Sequence, residues 1–231
     1  MLKKSTGNMY DWVTHMHCHL GGECPHKCVY CYVQKNRFGV SPRYKGEPRL
    51  IRAELDVNYG TGKTIFIEHM NDIFAEGVQD DWITEILNHC GKYEGNTYVF
   101  QTKNPGRARE FSFYGIKKIF GTTIETNRDH FFLGGRFYEM SKAPTQQSRA
   151  FGMMVNGWKK FVTIEPILDF DVEILVGWMK EIKPEFVNIG ADSKGCKLPE
   201  PPAEKVRELI AKLREAKITI RKKSNLARLL K

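Results

Sequence analysis

The chain has 231 residues, 41% of them apolar and 27% charged, which suits a globular protein with a sizeable core and excludes collagenous, low-complexity and disordered classes. Lysine and arginine outnumber the acids 36 to 27, a formal charge of +9 that favours anionic partners, although a solvated basic face is the commoner reason for such a surplus. No run approaches the roughly 18 apolar residues of a membrane span, the start MLKKSTGNMYDWV lacks the apolar core of a signal peptide, and the six cysteines of an intracellular chain favour metal or redox use over disulfides. A cytoplasmic location with no membrane partner is expected.

In chain order, VTHMHCHL (13–20) reads as a first strand, followed by a cysteine-rich loop over 19–34. The stretch 36–58, including SPRYKGEPRL, reads as an excursion that carries a first helix or a lid. YGTGKT (59–64) contains GKT, but Val57 occupies the first glycine position of a phosphate loop, so it reads as a turn entering the next strand. Strands are expected at TIFIEHM (64–70), TYVFQT (97–102), KIFGTTIE (118–125), KFVTIEP (160–166), FVNIGAD (186–192) and ITIRK (218–222). Their apolar residues are contiguous, as in Ile65, Phe66 and Ile67, the pattern of parallel strands covered on both faces. Asp80 and Asp81 are expected to cap a helix beginning at Trp82. Val172, Leu175, Val176, Met179 and Ile182 form one helical stripe; Val206, Leu209, Ile210, Leu213 and Ala216, after Pro201 and Pro202, form another. The alternation implies right-handed βαβ units in one α/β domain over 1–231, either doubly wound or a partial barrel, with functional groups at the C-terminal strand ends.

Cys24, Cys28 and Cys31 lie in GGECPHKCVYCYV, three and two residues apart. Thiolates so spaced can converge from one loop on a soft metal or an iron–sulfur cluster. A [4Fe–4S] cluster held by three cysteines keeps one iron open to a non-protein ligand. The competing reading is a zinc-binding, nucleic-acid-binding protein without catalysis, in which His19 or His26 completes the ligand set; no second ligand arm of the kind structural zinc uses is present.

The CxxxCxxC spacing with aromatic Tyr30 before the last cysteine resembles the signature of the radical S-adenosylmethionine (SAM) enzymes. The resemblance implies a partial (β/α)6 TIM-like barrel and a [4Fe–4S] cluster on Cys24, Cys28 and Cys31 whose open iron chelates SAM. It also implies a one-electron donor such as flavodoxin or ferredoxin, and a 5′-deoxyadenosyl radical that abstracts hydrogen from a substrate. Met70-Asn71-Asp72-Ile73-Phe74 looks like the M-x-D-[LI]-F version of a phage-type radical SAM family of unknown substrate, and some features are shared with spore photoproduct lyases, which act on DNA. A nucleotide or nucleic acid substrate suits the basic balance; a peptide is the other option.

By that resemblance Tyr30 packs beside the adenine. Glu68, His69, Asn71 and Asp72 occupy the strand end that holds the SAM amino group, as a region with no single donor assigned. Thr102 and Lys103, before Asn104 and Pro105, are candidates for the SAM carboxylate or ribose. Thr123, Glu125 and Asn127 offer acceptors to ribose hydroxyls, and Glu165 ends the next strand. Asp192, Ser193, Lys194 and Cys196 share a loop at the same mouth. Cys196, or Cys18, is a candidate hydrogen donor to a product radical, against the ordinary reading of a small incidental thiol. His15, His17 and His19 alternate at strand spacing and are expected to share one face.

Overall fold

The computed structural model of the chain describes residues 2–6, 9–128, 131–133, 136–155 and 157–231. The strands are β1 (Lys3–Lys4), β2 (His15–His17), β3 (Leu20–Gly21), β4 (Arg49–Leu50), β5 (Thr64–Ile67), β6 (Thr97–Thr102), β7 (Lys118–Thr123), β8 (Phe131–Leu133), β9 (Arg136–Tyr138), β10 (Lys160–Ile164), β11 (Phe186–Ile189) and β12 (Ile220–Lys222). The helices are α1 (Asp80–Gly91), α2 (Pro105–Ala108), α3 (Gln146–Met154), α4 (Val172–Ile182) and α5 (Ala203–Glu215). One eight-stranded sheet runs β1-β2-β5-β6-β7-β10-β11-β12; every neighbouring pair is parallel except β1 with β2. Its end strands do not meet, as the partial barrel requires.

Strand alternation divides the core. Ile65, Ile67, Tyr98, Phe100, Phe120, Val162, Ile164, Val187 and Ile189 pack in one cluster with Ile83 and Ile86 of α1, Leu175 and Met179 of α4, and Leu209 and Leu213 of α5. The intervening Phe66, Val99, Phe161 and Phe186 face the other side, where Tyr10 and Trp12 of the N-terminal segment close over them. Both faces are therefore dry, which explains the unbroken apolar runs. Each fully buried side chain of this size contributes about 1.5–3 kcal/mol. Farther along the same inner face the side chains turn polar: Gln101, Thr123, Thr163 and Asn188 are joined to one another or to the Tyr10 hydroxyl by hydrogen bonds of 2.7–3.2 Å.

Two expectations are corrected, and of the two options for 36–58 the helix falls away. The first strand stops at His17, and Leu20–Gly21 turns away to pair antiparallel with Arg49–Leu50. The excursion 36–58 holds no α-helix but two 3-10 turns, Pro42–Tyr44 and Arg52–Asp56, on either side of β4. Asp80 and Asp81 lie inside the first turn of α1, where their charge suits the helix dipole, and Gln79 is the cap residue without a side-chain bond. Helix α3 adds an element to the expected set; its local signal is Thr145, whose hydroxyl accepts from the Ser148 amide at 3.2 Å. No helix among the described residues is long and apolar enough to cross a membrane.

Candidate functional site

The cysteine loop leaves the sheet after β3 and returns through short turns. Lys27, in the left-handed region at φ 48°, and Cys31 donate their amides to Cys24 and Cys28 carbonyls at 3.2 and 3.1 Å, and Lys35 donates to Cys31 at 2.9 Å. Three anchors hold the loop down: Asn71 Nδ2 to the Gly22 carbonyl at 3.2 Å, the Val29 amide to Met140 at 3.1 Å, and the Lys142 amide to His26 at 2.7 Å. The three thiols are half-buried. Burial pushes the Cys24 thiol well up, and Asp72 and the other two sulfurs push it further; burial also raises Cys28, against the pull of Lys103. The sulfurs are thus near enough to feel one another, and each must shed a proton to bind metal. Among the described residues no three His, Cys, Asp or Glu side chains are gathered for a single ion. Three soft donors, each able to take a different iron, nevertheless fit a cubane cluster.

A fourth anchor joins this loop to the sheet. Asp72, just beyond β5, accepts through Oδ2 from His26 Nε2 at 2.7 Å, Thr102 Oγ1 at 3.0 Å and the Lys103 amide at 2.8 Å, and through Oδ1 from the Phe74 amide at 3.0 Å. Burial alone would raise its pKa, but His26 and the other donors outweigh it and hold the carboxyl below its usual range.

Beside Asp72 lies a buried knot. Lys103 Nζ donates to the Tyr30 hydroxyl at 2.8 Å and to Glu125 Oε1 at 2.5 Å, the Tyr30 hydroxyl also donates to Glu125, and Arg149 Nη1 donates to Glu125 Oε2 at 2.8 Å. Arg149 is 1% exposed and spends its remaining donors on the Pro144 and Thr123 carbonyls and Ser141. Burial opposes ionisation of Glu125; Arg149 and then Lys103 overcome it, and its pKa falls to about 2. Two cations against one carboxylate give the knot a net positive charge next to Cys28, whose thiol responds to Lys103, Glu125 and Arg149 alike.

Residues 14–215 match the family model described as "Protein of unknown function (DUF5131)". The chain belongs to that family. No curated protein matches it. Among solved structures, a variant of spore photoproduct lyase superposes with a TM-score of 0.61 at 11% identity, over 95% of this chain and 78% of that one. A second lyase variant, solved with bound AdoMet and dinucleoside spore photoproduct, gives 0.55 at 13% identity over 91% of this chain and 64% of that one. SuiB of Streptococcus suis bound to S-adenosylmethionine gives 0.54 at 14% identity over 90% of this chain and 49% of that one. The chain therefore spans 64% of the AdoMet-bound lyase and about half of SuiB. At such identities what is shared is the fold, the open, mostly parallel sheet backed by helices.

Within this DUF5131 chain the remaining candidate residues divide. Tyr30, Asp72, Thr102, Lys103 and Glu125 are brought together with the cysteine loop. Thr123 lies one layer in, accepting from Gln101 at 2.9 Å. Glu165 accepts from Asn225 at 2.9 Å and sits against Gly190, where a Cβ would come within 2.7 Å of its Cδ. Asn127 instead bonds Asp171, 3.3 Å away. Asp192 receives the Lys194 amide at 2.9 Å and the amide of Cys196, whose half-buried thiol is raised by burial and by Asp192; Ser193 and Lys194 are exposed.

Glu68 and His69 are taken up elsewhere. The Glu68 carboxyl receives the His19 and Leu20 amides and lies 2.9 Å from His19 Nδ1; His69 Nδ1 lies 3.1 Å from the buried Cys18 sulfur. His17 and His19 do share a cluster, with Tyr59 and His89, while His15 at the strand start stays outside it. Sequence reasoning missed Arg149, Gln101 and Tyr10, because no local motif marks their contacts with Glu125, Thr123 and Thr163, which span 22 to 153 positions.

Proposed function

We propose that the protein is a radical SAM enzyme, with Cys24, Cys28 and Cys31 holding a [4Fe–4S] cluster. The observation that carries the reading is the three-cysteine loop placed beside the Tyr30–Lys103–Glu125–Arg149 knot in a fold shared with two proteins solved with bound SAM. When bound, the cluster and SAM supply a 5′-deoxyadenosyl radical that abstracts hydrogen from a substrate. The chain's own part is orientation and exclusion of water. Asp72 and His26 set the loop that carries the thiols, and Tyr30, held by Lys103 and Glu125, presents its ring beside it. Arg149 keeps Glu125 neutralised, so the more exposed Lys103 ammonium can turn to an arriving carboxylate without stranding a buried charge.

Finer parts of the reading are the likeness to phage-type radical SAM proteins at Met70–Phe74, a cytoplasmic flavodoxin or ferredoxin as electron donor, one domain over 1–231, and Cys196 as hydrogen donor. The zinc alternative has less support, because His26 Nε2 is bound to Asp72 and both His19 ring nitrogens face Glu68, Tyr59 and His89.

Anaerobic reconstitution tests the reading. Iron and sulfide near four of each per chain are expected, with 5′-deoxyadenosine released on reduction with SAM and none from Cys28→Ala. A colourless protein with one zinc and no iron would overturn it.

A further inference from the structure

Immediately after Cys31 the chain enters a strongly basic stretch. Residues 34–52 hold six lysines and arginines against Glu47 alone, a net +5 out of the chain's +9. Two of these cations are internally committed, Arg43 to Glu54 at 2.6 Å and Arg52 to Glu85 at 2.7 Å, and Arg49 bonds backbone carbonyls. Lys35, Arg37 and Lys45 are exposed and have no carboxylate partner among the described residues. Among them stand two exposed aromatic rings. Phe38 is 81% exposed, with the Arg37 guanidinium 4.5 Å from its ring centre, and Tyr32, next to Cys31, is 45% exposed. A phenyl ring held out in water contributes nothing to the core; unpaired cations interleaved with ring faces are what a flexible polyanion of stackable bases needs.

We propose that this surface, with Tyr32, Lys35, Arg37 and Phe38, binds single-stranded nucleic acid and delivers it to the thiol loop. The inference rests on the proposed function, whose substrate class it names. Continuity supports delivery: the Lys35 amide is bonded to Cys31, and the Lys35 charge reaches Cys196 on the facing loop. The cations supply phosphate contacts, and Phe38 a platform for one unpaired base. A single strand is favoured over a duplex because duplex bases already stack on each other and present no free face.

The test is fluorescence anisotropy with the full-length protein and a labelled oligonucleotide of about 12 nucleotides, from about 50 to 200 mM salt, before and after cluster reconstitution. Binding that falls steeply with salt is expected. Phe38→Ala should weaken it by about fivefold to a hundredfold, the range of one lost stacking contact, at an unchanged salt slope. Lys35→Gln with Arg37→Gln should instead lower the log–log salt slope by about 1.4, two single-strand phosphate contacts. No binding at low salt, equal affinity for the matching duplex, equal capture by anionic lipid vesicles, or indifference to both variants would overturn the proposal. These outcomes with cluster assembly and SAM cleavage intact strike the surface alone; absence of iron strikes the enzymatic reading and leaves the binding result standing.

Discussion

His26 Nε2 stands 2.7 Å from Asp72 Oδ2, so the stretch between Cys24 and Cys28 is tied directly to the C-terminal end of β5. Asp72 is ionised and can only accept, so the histidine donates, and the thiol loop is held from outside as well as by its own turns.

Asp72→Asn turns an amide toward three donors. It should cost about 2–3 kcal/mol and lower the melting temperature by roughly 4–12 °C, measured by calorimetry. The native pKa of Asp72 is depressed, so its contribution is complete above the unfolded value of about 4 and lost as pH falls through the native one. The variant should therefore converge on the wild type in acid.

Arg149→Met leaves the buried Glu125 with Lys103 as its one cation and the Tyr30 hydroxyl as its other donor among the described residues. A loss of about 3–5 kcal/mol is expected from denaturant titration, because a fully desolvated charge loses its bidentate-capable partner. Adding Glu125→Gln should cost less than the sum of the two single changes, since they share one interaction. Strict additivity would mean that the 2.8 Å contact is energetically idle.

Glu68 sets a pH limb of its own. His89 Nε2 donates to the Val57 carbonyl at 2.9 Å, so its Nδ1 accepts from His19 Nε2 at 3.0 Å; a single proton is then left between His19 Nδ1 and Glu68 Oε1. Burial pushes Glu68 up to about 8 and His19 down to about 3, which assigns that proton to the carboxyl. With a native pKa above the unfolded one, the Glu68 contribution is complete below about pH 4.3 and declines until pH passes 8. The buried histidines act oppositely: His17 is lowered to about 3 and His89 to about 4, both chiefly by burial, so their contributions are gained with rising pH and complete above about 6.5. Stability should fall between pH 6.5 and 8 by about 1.4 kcal/mol per pH unit. Glu68→Gln, which donates to His19 Nδ1 as the protonated acid does, should abolish that fall; an unchanged slope in calorimetry would refute the assignment.

Gly121 faces the inner side of β7 under the ring of Phe161, where an added Cβ would lie 2.2 Å from Cζ. Gly121→Ala should destabilise by about 1–3 kcal/mol, because neither the ring nor the strand can move without opening the inner core. A variant with wild-type melting would show that the inner layer is looser than its stacking suggests.

The strands were legible because contiguous apolar residues survive only where both faces are covered, and helices α4 and α5 because their stripes repeat at helical spacing. The break after His17 was not, since VTHMHCHL has no proline or glycine before Gly21 to announce it; the strand ends where Leu20 finds a partner in Leu50. Asp72, Lys103 and Glu125 were visible as polar residues at the ends of apolar runs, and Tyr30 by its place in the cysteine motif. Which of them meet was not, and Glu68, drawn from the same strand end as Asp72, faces the histidine cluster instead.

By itself, the sequence determined the parallel α/β scheme and the three-thiol loop, because periodicity and cysteine spacing are local properties of the chain. Only the tertiary structure decided the Asp72–His26 tether, the Arg149 counter-ion and the buried Glu68–His19 proton, because each depends on burial between elements distant in sequence, where a carboxylate must find a partner or keep its proton.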